Sequence, residues 1–250
     1  MKINNIIEKL EKEFPPELAY EWDNVGLLVG DREREVKNVV VCLDVTEDVM
    51  EFAKNAEAEL IISHHPVLFS PINRINRDTK TGKLLMEAIE NKIAVYSAHT
   101  NCDKAENGIN ARLAEIFDLN DVEALEEDGL GRIGTLSGPM EFCEFAKSVE
   151  EKLSIKVRFC GDTKKVIKKV AICSGSGSDV IETAIAKGAD VLLTGDTKYH
   201  QMLDSKDDIN IIDAGHYGTE CIVTEIFAEA LCDADVQVFW QDTEDVFKYL

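Results

Sequence analysis

Two segments of the chain pair a histidine with a carboxylate four residues later. His99 precedes Asp103 at this spacing, and His216 precedes Glu220. Near the start of a helix, residues four apart project from the same face. An imidazole and a carboxylate on one face are a candidate pair of metal ligands. The alternative is that each pair forms only a local hydrogen bond where a helix begins.

The adjacent residues His64 and His65 add two further nitrogen donors. Neighbouring residues of a strand point to opposite faces, so both can reach one site only where the backbone turns. Pro66 follows them and favours departure from a strand at this point. Taken alone, the pair favours exposed or hydrogen-bonded histidines without a metal. Combined with the two histidine–carboxylate pairs, it favours a metal site.

These residues together make six candidate ligands, which is more than one metal ion needs. Two divalent ions about 3.5–4 Å apart, bridged by a carboxylate or a hydroxide, would use such a set. A centre of this kind lowers the pKa of bound water and polarises a carbonyl, a ring carbon or a phosphoryl group. The sequence therefore predicts hydrolysis or ring opening by water, with zinc, iron, manganese, cobalt or nickel as the metal.

Two loops are weaker candidates for substrate contacts. Gly175, Ser176 and Gly177 join a predicted strand to a helix, where a phosphate could approach the backbone. The loop lacks the ending of a P-loop and the third glycine of a dinucleotide fingerprint, so an ordinary strand–helix turn is the alternative. Asp196 and His200 are four residues apart and are candidates for proton transfer. Asp196 is explained equally well as a helix cap.

Short β-rich runs alternate with helical patterns along most of the chain. The predicted strands are 39–43, 60–62, 93–96, 132–136, 156–160, 170–173, 191–193, 209–212 and 236–240. The predicted helices are 3–14, 48–56, 81–90, 109–117, 141–153, 179–186 and 220–231. This alternation predicts an α/β fold with mixed, largely parallel sheets. Because ligand sites lie beyond the carboxyl ends of such strands, histidines that follow β-rich runs are placed where a site is expected.

An internal repeat indicates two similar halves. At a shift of 131 residues, segment 40–42 falls on 171–173 and segment 59–63 falls on 190–194. At a shift of 117 residues, segment 99–103 falls on 216–220. Two matches in the same order predict two similar α/β halves packed about a pseudo-two-fold axis. We assign 1–126 to the first half and 127–250 to the second, with the acidic stretch 123–134 at the boundary and the metal site between the halves.

Composition restricts the remaining classes of protein. The 250 residues carry a net charge of −21, which argues against binding of nucleic acid or an anionic membrane by the whole surface. No apolar run is long enough to span a bilayer, and charges from Glu8 onward interrupt any signal peptide, so we expect a cytoplasmic protein. The seven cysteines contain no CxxC spacing, which excludes zinc ribbons.

A local basic stretch keeps a second function open. Segment 156–169 contains six lysine or arginine residues, interrupted by one acidic residue, Asp162. The stretch favours a solvated strand and turn, but it also fits a DNA- or RNA-binding module in which the metals are structural. A metal-dependent scaffold or metallochaperone is a third hypothesis.

The motifs resemble those of the NIF-three-like family, whose members are also called GTP cyclohydrolase I type 2 homologues. The matching segments are 22–27, 63–66, 99–103, 194–196 and 215–220, in the family's order. The resemblance implies two intertwined α/β repeats, a dinuclear metal centre and a homohexameric ring. The metal ligands it implies are His64, His65, Asp103, His216 and Glu220. His99 is implied to lie close to the metals, either as a weaker ligand or as a residue that contacts one of the ligands.

The function that follows is a dinuclear-metal hydrolase acting on a nucleotide-like or other small phosphorylated molecule. His200 matches a histidine often found after the family's Gly-Asp motif, which favours a position lining the site. Some relatives carry a domain inserted between the halves. Only the short region 123–134 is present at that place, so we expect the compact form of the family.

Overall fold

The computed structural model describes residues 1–241 and 244–248. The chain forms two compact units, the first made of 1–108 and 222–244 and the second of 109–221 and 245–250. These units are defined by compactness, whereas the halves 1–126 and 127–250 follow the sequence repeat. The two divisions therefore describe different properties of the chain.

The regular elements fall into two sets, one in each unit. The first unit contains helices α1 (Ile3–Glu13), α2 (Glu47–Asn55), α3 (Lys80–Glu90), α4 (Thr100–Lys104) and α10 (Val223–Ala230), and strands β1 (Gly26–Val29), β2 (Asn38–Cys42), β3 (Leu60–Ser63), β4 (Ala94–Ser97) and β11 (Gln237–Trp240). The second unit contains helices α5 (Ile109–Ile116), α6 (Phe142–Leu153), α7 (Ile181–Ala186), α8 (Tyr199–Ser205) and α9 (His216–Glu220), and strands β5 (Asn120–Ala124), β6 (Arg132–Glu141), β7 (Arg158–Cys160), β8 (Val166–Ile172), β9 (Val191–Thr194) and β10 (Asn210–Asp213). Short 3₁₀ turns cover Pro16–Leu18 and Ser178–Val180.

The first unit is built on a five-stranded sheet in the order β1-β4-β3-β2-β11. Only β1 runs antiparallel to its neighbour. Strands β3 and β4 are buried along their whole length, as expected for parallel strands covered on both faces. Val40 and Ile61 pack with Val49 and Met50 of α2 in the core. Thr46 begins α2, because its side chain accepts a hydrogen bond from the Val49 amide at 3.2 Å.

The second unit is built on a six-stranded sheet in the order β5-β6-β8-β9-β10-β7. Strands β8, β9 and β10 are parallel, and the other three pairings are antiparallel. Ala171 and Leu192 of the parallel strands pack with Ile181 and Ala184 of α7. Segment 123–134 includes the paired ends of β5 and β6, where Glu123 lies opposite Ile133.

The predicted fold class is confirmed, and each unit contains one copy of the repeated succession of elements. The first unit contains the succession β2-α2-β3 and the second contains β8-α7-β9. In each unit a further parallel strand, β4 or β10, leads into a five-residue helix, α4 or α9. Helix α9 carries both His216 and Glu220, whereas His99 immediately precedes α4, which carries Asp103.

Several details differ from the sequence predictions, which also lacked helix α8. The helix predicted for 220–231 is shorter and spans Val223–Ala230, because Glu220 is the last residue of the separate helix α9. Strands β1 and β5 were not predicted. β1 is partly buried at every position and β5 is largely exposed, so neither shows the apolar alternation of a half-buried strand. Pairing with β4 and β6 places them in the sheets.

In the described part of the chain, no helix has both the length and the apolar character that crossing a membrane requires.

Candidate metal centre

The first group of candidate ligands lies at the carboxyl end of β3. The strand ends at Ser63, and the backbone bends at His64 and His65. The His64 amide still donates to the Cys42 carbonyl at 3.2 Å, and the His65 amide donates to the Leu43 carbonyl at 3.0 Å. These hydrogen bonds to the neighbouring segment hold both histidines at the edge of the sheet.

His64 is completely buried, and one of its ring nitrogens is committed to the backbone. Its Nδ1 lies 2.9 Å from the Ala98 carbonyl oxygen. A carbonyl can only accept, so Nδ1 carries the proton and Nε2 carries the lone pair that a metal needs. Nε2 lies 3.7 Å from Asp103 Oδ1. Two ligands that are each about 2.1 Å from one ion lie up to about 4.2 Å apart, so this separation is compatible with a shared ion.

His65 and His99 are oriented in the same way by carboxylates. His65 Nδ1 lies 2.8 Å from Asp44 Oδ1, and His99 Nδ1 lies 2.9 Å from Asp23 Oδ1. A carboxylate that accepts from Nδ1 fixes the ring, leaves Nε2 as the donor nitrogen and raises its basicity. This is the usual arrangement behind histidines that bind metals.

The three histidines of the first unit form one cluster. The ring centroids of His64, His65 and His99 are 5.0–5.6 Å apart, and one candidate ligand atom from each lies within 4.8 Å of the others. Imidazole nitrogens with a nearby carboxylate are a donor set suited to zinc, iron, manganese, cobalt or nickel. The residues present therefore fit a divalent metal ion.

Asp23 is an additional anchor of this cluster. Its second oxygen, Oδ2, accepts hydrogen bonds from the Thr100 amide at 3.0 Å and the Thr100 hydroxyl at 2.5 Å. Burial raises the pKa of Asp23, but the hydrogen bonds from His99 and Thr100 outweigh burial and bring the pKa to about 2. Asp23 is therefore an anion that holds both His99 and the start of α4.

The second unit carries the other histidine–carboxylate pair on α9. His216 Nε2 lies 3.0 Å from Glu220 Oε2, one helical turn away. His216 Nδ1 lies 2.8 Å from Asp196 Oδ2. Asp196, predicted as a proton-transfer group, thus contacts the imidazole of His216 in the way that Asp44 contacts His65. The predicted catalytic role of Asp196 stays a prediction.

The loop predicted to hold an anion packs directly against this pair. Gly175 has a φ of +61°, and a Cβ at this position would lie 2.0 Å from Glu220 Oε1. The amides of Gly175 and Gly177 donate to the hydroxyls of Thr219 and Thr194 at 2.9 and 3.1 Å. Ser176 between them is exposed. The loop thus provides room for the Glu220 carboxylate, while anion binding by residues 175–177 stays a prediction.

Asp213 at the end of β10 connects the two segments that carry Asp196 and His216. Its Oδ2 accepts from the Thr197 amide at 2.9 Å and from Arg158 at 2.7 Å, and its Oδ1 accepts from the Gly215 amide at 3.0 Å. Burial raises the pKa of Asp213, but the hydrogen bonds from Thr197, Arg158 and Gly215 outweigh it, so the pKa is lowered. The carboxylate is therefore charged and fixes the residues that flank both loops.

The remaining candidates lie on the surface. His200 is exposed in the first turn of α8, with its ring edge-on to Tyr199 and 5.4 Å between the centroids. In the basic stretch, Arg158 is paired with Asp213, and Lys156 forms an ion pair with Glu150 at 3.4 Å. Part of the positive charge of this stretch is thus neutralised internally. Proton transfer by His200 and nucleic-acid binding by the basic stretch stay predictions.

Sequence reasoning missed the carboxylates that orient the histidines. Asp44 could have been predicted from its position, because it follows β2 at the same edge of the sheet as His64 and His65. Asp213 gave a similar signal at the end of β10. Asp23 belongs to segment 22–27, which the sequence offered only as part of the family resemblance, and no spacing connected it with His99, 76 residues later.

Comparison with known proteins agrees with the motifs. The family model of Duf34/NIF3 (NGG1p interacting factor 3) matches residues 1–245. A "GTP cyclohydrolase 1 type 2 homolog" from Clostridium perfringens is 39% identical, and the alignment covers all of both chains. The solved structure of a Bacillus cereus protein related to NIF3 superposes with a TM-score of 0.92 at 26% identity, covering 100% of this chain and 99% of that one.

A second solved structure is also similar over nearly its full length. Reduced HcgD from Methanocaldococcus jannaschii is 33% identical with a TM-score of 0.86, and 96% of this chain and 97% of that one are covered. The family match extends over nearly the whole chain and includes every candidate ligand described above. The chain therefore belongs to the Duf34/NIF3 family.

Proposed function

We propose that this protein is a metal-dependent hydrolase with two divalent ions per chain. The proposed ligands are His64, His65 and Asp103 from the first repeat, with His216 and Glu220 from the second. The observation that carries the proposal is the hydrogen bonding of the clustered histidines. His64, His65 and His99 each direct Nδ1 to an acceptor and so reserve Nε2 as a donor to a metal.

Bound divalent ions supply Lewis acidity and lower the pKa of coordinated water. The chain's own residues set the positions of the donors. Asp44 holds the ring of His65, Asp23 holds His99, and Asp196 holds His216. We assign Asp196 this orienting role ahead of direct proton transfer, because its carboxylate is already engaged by an imidazole N–H.

The remaining site residues have more limited support. His99 is proposed as a weaker ligand, since it belongs to the same cluster as His64 and His65. His200 is exposed and remains a candidate for proton transfer. In the loop 175–177, the exposed Ser176 is the residue proposed to contact an anionic group of the substrate.

The proposed substrate is a nucleotide-like or other small phosphorylated molecule. Relatives such as the Clostridium perfringens protein carry the name "GTP cyclohydrolase 1 type 2 homolog", which makes nucleotides the first class to test. We also propose a homohexamer, as the family resemblance implies. Native mass spectrometry of the untagged protein tests this assembly, with a particle of six chains as the expected result.

Metal content tests the ligand set directly. Elemental mass spectrometry of protein purified without a histidine tag should give about two ions per chain. His64→Ala and Glu220→Ala should lower this number, because each removes a ligand. His200→Ala is the matched control, since it removes an exposed histidine that we do not assign to the metals. Wild-type protein that stays metal-free after incubation with zinc, iron or manganese would refute the proposal.

Activity is tested on the same preparations. Hydrolysis of a panel of nucleotides and sugar phosphates should disappear on chelation and return when metal is added. The double variant of His64→Ala and His216→Ala should be inactive. Hydrolysis that survives in this double variant would refute a role for the metals in the reaction.

A further inference from the structure

An aromatic cluster borders the three histidines of the first unit. The rings of Trp22 and Phe69 lie 5.9 Å apart between centroids. Both also lie edge-on to the imidazole of His99, at 6.3 Å for Trp22 and 6.1 Å for Phe69. The cluster is therefore continuous with the candidate metal ligands.

Both aromatic side chains are unusually open to solvent. Trp22 is 60% exposed and Phe69 is 57% exposed. Large aromatic rings supply much of the apolar surface that folding and binding bury, so two of them exposed side by side at a candidate site suggest a binding surface. Their positions beside His99 distinguish them from isolated surface residues.

The segments that carry these rings are tied to the backbone and side chains of the site. The Tyr20 amide donates to the Thr100 hydroxyl at 3.2 Å, and Asn24 Nδ2 donates to the Leu68 carbonyl at 2.6 Å. Asp23, between Trp22 and Asn24, holds His99 and Thr100. The two rings are therefore exposed while the backbone that carries them is held by hydrogen bonds, as expected for a preorganised binding surface.

Trp22 is also supported from the side. Its ring is stacked on Tyr20, with centroids 5.4 Å apart and planes inclined by 16°. The ammonium group of the buried Lys104 lies 3.3 Å from the centroid of the Tyr20 ring. Contacts of this kind restrict the orientation of Tyr20, and Tyr20 in turn restricts Trp22.

We propose that Trp22 and Phe69, whose planes are inclined by 56°, form a platform for a flat heteroaromatic ring of the substrate, of the nucleobase type, which stacks on one of the two rings and meets the other with its edge. The platform would hold this ring beside the histidine cluster. This inference rests on the proposed function, because it specifies the substrate of the same site. Aromatic faces stack on any base and need no specific hydrogen bonds, so the platform sets the class of ligand and leaves its identity to other contacts.

Intrinsic fluorescence tests the platform without any reaction. The chain has two tryptophans, Trp22 and Trp240, so Trp240→Phe leaves Trp22 as the only indole reporter. The protein is freed of metal with EDTA and titrated with AMP and GMP, and ribose 5-phosphate serves as a probe that lacks the ring. We expect saturable quenching by both nucleotides and none by ribose 5-phosphate.

A second substitution separates stacking from unspecific quenching. In the Trp240→Phe background, Phe69→Ala should raise the nucleotide Kd by about 5- to 150-fold, the range expected for one stacked ring. Phe247→Ala is the matched control, because Phe247 is an exposed phenylalanine of the second unit, with 67% of its surface accessible. It should leave Kd unchanged.

The outcomes distinguish this inference from the proposed function. Absence of quenching, or equal Kd values for the Phe69 and Phe247 variants, would overturn the platform even if metal-dependent hydrolysis is found. Saturable, Phe69-dependent quenching in the metal-free protein would support the platform even if the loaded protein proves inactive. Lack of quenching together with a changed particle mass in Trp22→Ala would assign the rings to a contact between copies of the chain, which also overturns the platform.

Discussion

Replacement of Gly175 by alanine should damage the candidate metal site through a single added methyl group. Gly175 has a φ of +61°, and its Cβ would lie 2.0 Å from Glu220 Oε1 and 3.4 Å from His216 Nε2. The first distance is far below any van der Waals contact, and Glu220 is buried with 4% of its surface exposed. The carboxylate must therefore leave its position beside His216.

The expected cost has two parts. An alanine in the left-handed region costs about 1–2 kcal/mol of folding free energy. Displacement of Glu220 adds the loss of its 3.0 Å contact with His216 Nε2. Metal affinity should fall at least about tenfold, the lower end of the effect seen when the support of a ligand is removed.

Gly188→Ala provides a matched control in the same unit. Gly188 has a φ of +73°, and its Cβ would meet no atom within 4 Å. The control therefore carries the same backbone cost without the collision with Glu220. Urea denaturation and zinc titration of both variants should give a larger loss of stability for Gly175→Ala and a loss of metal affinity for that variant alone. Equal metal affinities would refute the assignment of Glu220 as a ligand held by this loop.

Three further substitutions test the fold and the anchors of the site. Asp23→Asn removes a carboxylate whose pKa is about 2, against an ordinary value of 3.8. The ionised carboxylate therefore stabilises the fold above pH 4, and this contribution is lost as the pH falls towards 2. In urea denaturation of the metal-free proteins, the free energy of unfolding should differ between wild type and variant by about 1 kcal/mol less at pH 3 than at pH 5. The same difference at both pH values would contradict the lowered pKa of Asp23. Thr46→Ala removes the cap on the Val49 amide and should cost about 1 kcal/mol in the same assay, whereas an unchanged midpoint would exclude a capping role. Ile61→Ala opens a cavity beneath β3 and should cost about 2–5 kcal/mol, with Ile61→Val at about 0.5–1.5 kcal/mol as the graded control. A similar loss for both would contradict cavity formation as the cause.

The sequence predicted the fold class because its signals are local. Parallel strands buried on both faces appear as short apolar runs, and the amphipathic helices between them show a different period. The missed strands lack such signals. β5 is an exposed, acidic segment, and its place in the sheet depends on pairing with β6. The division of 216–231 into α9 and α10 also depends on packing, since the helical pattern continues through the break.

For the candidate site, the sequence by itself determined which donors are present and how they are spaced. The pairs at 99/103 and 216/220 and the adjacent histidines at 64 and 65 were predicted from the residue types, the spacing and the internal repeat. Only the tertiary structure decided what holds each imidazole. The acceptors of His65, His99 and His216 are carboxylates 21, 76 and 20 residues away in the chain. Such partners have no fixed sequence spacing, because a hydrogen bond between distant segments exists only after strand pairing and core packing have brought the two backbones together.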